Sequence, residues 1–143
     1  MKRKLPSNWR QRIEIVVDET IKKKIYAHIG YSTIVLTARF IKGKTPKGFH
    51  SKLGSAIFET IHSNGKNYLV ELDIIEPFQR RGLATMLFVK AIKNYLPNES
   101  MIIYWDSCSR KGKMFYKWFA ENKAKKYKTD LFTSTLTIIG LRE

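Results

Sequence analysis

Apolar and polar residues alternate from Val70 to Ile74, where Val70, Leu72 and Ile74 interleave with Glu71 and Asp73. A period of two sends successive side chains to opposite faces of a strand, so 68–75 is predicted as a strand that Pro77 ends. The period then lengthens. From Leu83 to Leu96 there is neither Gly nor Pro, and Leu83, Met86, Leu87, Ala91 and Tyr95 recur at helical spacing. Upstream, 12–17 and 21–29 predict two strands, and 32–41, rich in β-branched and aromatic residues, a third. Gly43, Pro46, Gly48 and Gly54 among lysines make 41–54 a loop. Residues 55–62 read as a further strand, joined to 68–75 by a Ser63-Asn64-Gly65-Lys66 turn whose Asn and Gly tolerate positive φ. After a break at 97–100, Met101 to Trp105 suits a short buried strand. A helix capped by Ser107 or Ser109 then runs to about Asn122, with Met114, Phe115, Trp118 and Phe119 on its apolar side. Residues 127–132 and 136–141 close the chain as two strands turning at Thr133-Ser134.

This order predicts one domain over 1–143, a mixed, largely antiparallel sheet flanked by helices, of the α/β or α+β class. Hydrophobic residues make up 43% of the chain, enough for a core without staples, and the single Cys108 excludes an internal disulfide. That usage fits a reducing, cytoplasmic compartment. Every apolar run is soon interrupted by charge, so neither a secretory leader, a membrane span nor a membrane partner is expected.

Charge changes the picture more. Lys and Arg outnumber Asp and Glu by 27 to 12, for a net +15. The cations cluster at the start of the chain, in the loop around Lys42, Lys44, Lys47 and Lys52, and from Arg110 to Lys128, where eight basic residues face one acid. Clusters of this kind are either solvated faces or patches for a polyanion, so nucleic acid (tRNA or DNA) stands as an open partner.

The most specific signal lies between strand and helix, at Gln79-Arg80-Arg81-Gly82-Leu83-Ala84-Thr85. A turn entering a helix aims backbone N–H groups and the positive end of the helix dipole at one spot, which suits a pyrophosphate. Gln79 to Ala84 resembles the Gln/Arg-x-x-Gly-x-Gly/Ala signature of the GNAT acyl-CoA N-acyltransferases, with Ile75-Glu76-Pro77 similar to the strand end that precedes it there. The resemblance implies acetyl-CoA as co-substrate, no metal, and an amine acceptor: a protein amine, an aminoacyl-tRNA, a polyamine or another small amine. It covers 55–141 well and the first half poorly. The helices that usually follow the first strand in that family are expected to be reduced or replaced by strands here, which would leave the acceptor side open.

By the same resemblance, Gln79, Arg80, Arg81, Gly82, Leu83, Ala84 and Thr85 would hold the cofactor, the N–H of Ile75 would meet the thioester carbonyl, and Ser109 would contact the pantetheine arm. Tyr116, in Met114-Phe115-Tyr116-Lys117, matches the family's general acid; its other reading is a core aromatic beside Phe115, Trp118 and Phe119. For the base, Asp73 and Asp106 rank ahead of Glu71, each with a salt bridge as the alternative, and ordered water could replace all three. The alternative for Arg80 and Arg81 is plain surface charge. His28, His50 and His62 lack metal-ligand spacing, and Cys108 lacks an evident activating partner. Other functions stay open: a non-catalytic CoA-binding module, a nucleic-acid binder, or a DNA-base modifier, since Asp106 with Tyr116 resembles a pair in phage adenine-modification proteins. A homodimer is also compatible with the chain.

Overall fold

The computed structural model describes residues 6–24, 29–75, 78–79, 82–106 and 108–142. Among these residues seven strands and two α-helices follow one another: β1 (Ile13–Lys24), β2 (Ile29–Phe40), β3 (Lys52–Ile61), β4 (Asn67–Ile74), α1 (Leu83–Asn94), β5 (Ser100–Tyr104), α2 (Arg110–Asn122), β6 (Ala124–Asp130) and β7 (Thr135–Leu141). They form one mixed α+β sheet in the order β1-β2-β3-β4-β5-β7-β6. All neighbours pair antiparallel except β4 and β5, which α1 connects as a parallel crossover.

Two strands predicted separately over 12–17 and 21–29 are continuous as far as Lys24; residues 25–28 lie outside the described residues, and Ile29 already belongs to β2. β1 runs unbroken to Lys24 and pairs with β2 from Ile13↔Phe40 to Lys24↔Ile29. Charged residues from Asp18 onward interrupt the apolar alternation but carry no Gly or Pro, so nothing in the backbone stops the ladder. The remaining boundaries move by a few residues, the largest shift placing β6 at Ala124–Asp130 where 127–132 was predicted. Where the resemblance would place helices after the first strand, β1 and β2 pair as a long antiparallel ladder, and the described residues from Ile13 to Phe40 contain no helix.

The strand period sorts the sheet into two unlike faces. Ile34, Leu36, Ala38 and Phe40 of β2, Ala56 and Phe58 of β3, Met101 and Ile103 of β5, and Leu136 and Ile138 of β7 are all buried. Both helices lie on this side. Phe88 of α1 packs edge-on against Phe58 and against Phe119 of α2, and stacks on Tyr116 with centroids 6.0 Å apart. A second ring cluster joins Trp9, Phe40, Phe49 and Phe78 beside the start of α1. Such edge-to-face contacts add about 0.5–1.5 kcal/mol each beyond area burial. The opposite face, with Thr33, Val35, Thr37, Ile57, Glu71, Asp73 and Tyr104, remains half-exposed or exposed, and no described helix crosses it.

Candidate functional site

β4 and β5 part immediately after they meet. Their register contains one pair, Tyr68↔Ile102, with the two tyrosines Tyr68 and Tyr104 stacked 5.9 Å apart on the open face. The closed end of this V is held by Asn67, which is fully buried. Its side chain accepts from the Thr60 hydroxyl at 2.6 Å and donates to the carbonyls of Pro97 and Ser100 at 2.8 and 2.9 Å. Those bonds tie the first residue of β4 to the chain entering β5. Beyond the Tyr68↔Ile102 pair, the described residues of β4 and β5 contain no further ladder pair.

The result is a cleft of about 1040 Å³. Leu69, Leu72, Ile74 and Ile103 border it from the helix side of the sheet, and Glu71 and Tyr104 from the open side. The cleft is therefore a slot through the sheet, with one mouth under the helices and another on the uncovered face. Gly82, Ala84 and Thr85 of the turn into α1 border it at one end, and Ser109, Gly112 and Tyr116 of α2 at the other.

At the first end, Gly82 is the residue before α1 and has φ +85°, a left-handed conformation in which a side chain is strained. Among the described residues no side-chain hydrogen bond caps this helix at Gly82, and the N–H groups of its first turn, which have no intrahelical acceptors, point outward together. Gln79 donates through Nε2 to the carbonyl of Ile74 at 2.9 Å, fastening the turn to the end of β4. Leu83, predicted as a cofactor contact, has its side chain buried in the core, while Ala84 and Thr85 border the cleft. Arg80 and Arg81 lie outside the described residues, as do Glu76, Pro77 and Ser107.

Ile75 requires a correction. Its N–H donates to the carbonyl of Leu53 at 3.0 Å and so is engaged by β3. Antiparallel pairing alternates, and residues one position away turn their N–H and C=O to the other side. Given the register Gly54↔Ile74 and Ala56↔Leu72, it is Ile74 and Leu72 whose N–H groups face the slot. A shift of one residue, invisible in the sequence, decides which amide is presented.

At the far end, Tyr116 is 7% exposed, and burial pushes its hydroxyl up to about 12. Cys108 contributes next, through its charge when ionised and through a hydrogen bond between the two side chains. The Cys108 thiol in turn donates to the carbonyl of Tyr104 at 3.4 Å. Burial raises the thiol most; Lys113, and then Tyr116, pull the other way. Cys108 thus has a partner that residue spacing did not reveal. Gly112 permits the arrangement: a Cβ there would approach Ser109 Oγ to 3.3 Å and Tyr116 Cε2 to 3.6 Å. Ser109 borders the cleft, and its Oγ caps α2 by accepting from the Gly112 N–H at 3.1 Å.

The carboxylates are ordered differently from expectation. Asp73 and Asp106 are both exposed and neither borders the cleft, whereas Glu71, ranked behind them, does. Glu71 and Asp73 share the open face, as their pairing with Ile57 and Ser55 requires. Sequence reading also missed the mouth of the cleft, where Val70, Tyr104, Met114 and Trp118 are 52%, 52%, 63% and 45% exposed. Val70 sits at a bulge in the β3–β4 ladder, which the uninterrupted alternation of 70–74 conceals.

In comparisons with known proteins, no family model and no curated protein matched the chain.

Proposed function

We propose that this chain is an acetyl-CoA-dependent N-acetyltransferase of the GNAT type, acting by direct transfer in a ternary complex. The observation that carries the reading is the slot between β4 and β5, bounded by an uncapped helix N-terminus at one end and a buried phenol at the other. The turn suits a pyrophosphate: the N–H groups of a first helical turn have no intrahelical acceptors, and among the described residues an added Cβ at Gly82 would come no nearer than 3.9 Å, to Arg10 Nη2. Acetyl-CoA would supply the activated acyl group.

The chain's residues then divide the work. Gly82 and the N–H groups of Leu83, Ala84 and Thr85 hold phosphate on the helix side. The N–H of Ile74 or Leu72 polarises the thioester carbonyl inside the slot. The acceptor amine enters from the open face, where Glu71, or water beside it, takes its proton. As the C–N bond forms and the C–S bond breaks, Tyr116 donates to the departing sulfur. A phenol raised to about 12 keeps its proton at neutral pH and so has one to give.

The acceptor mouth favours a positively charged or neutral amine. Glu71 borders it and Asp73 follows on the same face, whereas Lys125, Lys126 and Lys128 belong to β6, two strands beyond β5. At about 4.8 Å per strand those lysines stand roughly 10 Å to the side. This moves the polyanion reading away from the acceptor site itself. A thiol-release screen with peptides, polyamines and charged tRNA tests the proposal. No release with any amine, together with no acetyl-CoA binding by calorimetry, would remove it.

A further inference from the structure

The turn between β6 and β7 exposes two apolar side chains almost completely: Leu131 is 93% exposed and Phe132 101%. The turn itself is well tied. Asp130 Oδ1 accepts from the N–H groups of Phe132 and Thr133 at 2.9 and 3.3 Å, the Thr133 and Thr135 hydroxyls bond at 2.8 Å, and the Trp105 N–H donates to the Ser134 carbonyl at 3.2 Å. The fold therefore holds a rigid tip that presents Leu131 and Phe132 to solvent. Behind it, β6 is the edge of the sheet, and every residue of it after Ala124 is exposed.

From these features we infer that the β6–β7 hairpin docks the protein on an anionic phospholipid surface, with Leu131 and Phe132 as the wedge and the β6 lysines as headgroup contacts. Three points favour lipid. First, the tip is convex and two residues wide, and a fluid hydrocarbon boundary accepts such a wedge with no complementary pocket. Secondly, Lys128 and Lys126 trail Asp130 by two and four residues, about 7 and about 13 Å at a strand's rise. A wedge sunk ~5–10 Å into the interface brings these cations to the phosphates. Thirdly, the acid nearest the wedge, Asp130, turns its carboxylate to the backbone N–H groups of the turn. The described residues contain no helix long and apolar enough to cross a membrane, so this contact is peripheral.

The test is flotation of the full chain with vesicles of phosphatidylcholine alone and of phosphatidylcholine mixed with phosphatidylglycerol. Binding to the mixed vesicles, falling with salt, is expected, with little to phosphatidylcholine alone. Replacing both tip residues (Leu131→Ser with Phe132→Ser) should lower partitioning at least tenfold. The melting temperature should not change, because neither side chain is packed. Lys126→Gln with Lys128→Gln should also weaken binding and flatten its salt dependence. Absence of binding to mixed vesicles overturns the proposal, and so does a tip variant that binds like the wild type, which would mean plain charge adsorption. Loss of DNA or tRNA retention in the tip variant, with no vesicle binding by the wild type, would assign the tip to nucleic acid instead. A wild-type dimer that the tip variant dissociates, again with no vesicle binding, would assign it to a second copy of the chain.

Discussion

Tyr116→Phe isolates one hydroxyl in an otherwise unchanged ring. The phenylalanine keeps the stack on Phe88 and the packing of a residue that is 7% exposed, so the loss is confined to the hydrogen bond to Cys108 and to the proton the phenol carries. A thiol is a weak hydrogen-bonding group, so the stability cost should fall near the low end of the usual range, about 0.5–1 kcal/mol. Turnover should fall much further. One positioned general acid contributes on the order of a hundredfold, about 2.7 kcal/mol of barrier. Cofactor affinity should hardly move, which puts the loss in kcat rather than KM. The assay is thiol release from acetyl-CoA with the best acceptor, read beside a thermal melt. Cys108→Ala is the companion variant. It removes the hydrogen-bond partner but not the phenol, so a fall of more than a few fold would mean that the sulfur, not the hydroxyl, matters to the chemistry. Full turnover in Tyr116→Phe would refute the assignment and leave Tyr116 as a core aromatic.

Gly82→Asp adds a side chain at φ +85° and a negative charge at the helix entrance, and calorimetry should show acetyl-CoA bound at least tenfold more weakly, about 1.4 kcal/mol. Glu71→Gln should depress kcat/KM in the thiol-release assay by about tenfold or more, while Asp73→Asn and Asp106→Asn, whose side chains lie off the cleft, should leave it nearly intact; the reverse order would restore Asp73 or Asp106 as the base. The Tyr116 hydroxyl is raised from 10.0 to about 12, so it is protonated in both folded and unfolded chains below pH 10. Between 10 and 12 only the unfolded chain loses the proton, and stability should fall across that window, less steeply in Tyr116→Phe; parallel denaturation curves would contradict the burial. Asn67→Ala deprives the Thr60 hydroxyl and the Pro97 and Ser100 carbonyls of their partner and should cost about 2–3 kcal/mol, a fall of roughly 6–10 °C in Tm by calorimetry.

Local signals carried much of the architecture. The period-two run before Pro77, the helical spacing from Leu83 and the turn residues at 63–66 each depend on near neighbours, so β4, α1 and the β3–β4 turn were legible within a residue or two. Ser109 as a cap and Gly82 as the turn residue belong to the same kind of information, since each answers a demand of its own few peptide units. Whether Gln79 and its neighbours hold a cofactor was never a question of local geometry alone.

Tertiary structure decided the rest. Register with β3 gave the Ile75 N–H to Leu53 and turned those of Leu72 and Ile74 to the slot, because antiparallel pairing alternates and one residue reverses the side presented. The bulge at Val70 and the single Tyr68↔Ile102 pair, not any composition, opened the cleft. Three carboxylates of like chemistry were separated only when the strands took their places, leaving Glu71 at the cleft and Asp73 and Asp106 off it. Cys108 and Tyr116 lie eight positions apart, across a loop and a helix cap whose geometry the sequence does not state. Chain neighbours set which element forms; which atoms meet across elements depends on register, splay and packing, and those exist only in the folded molecule.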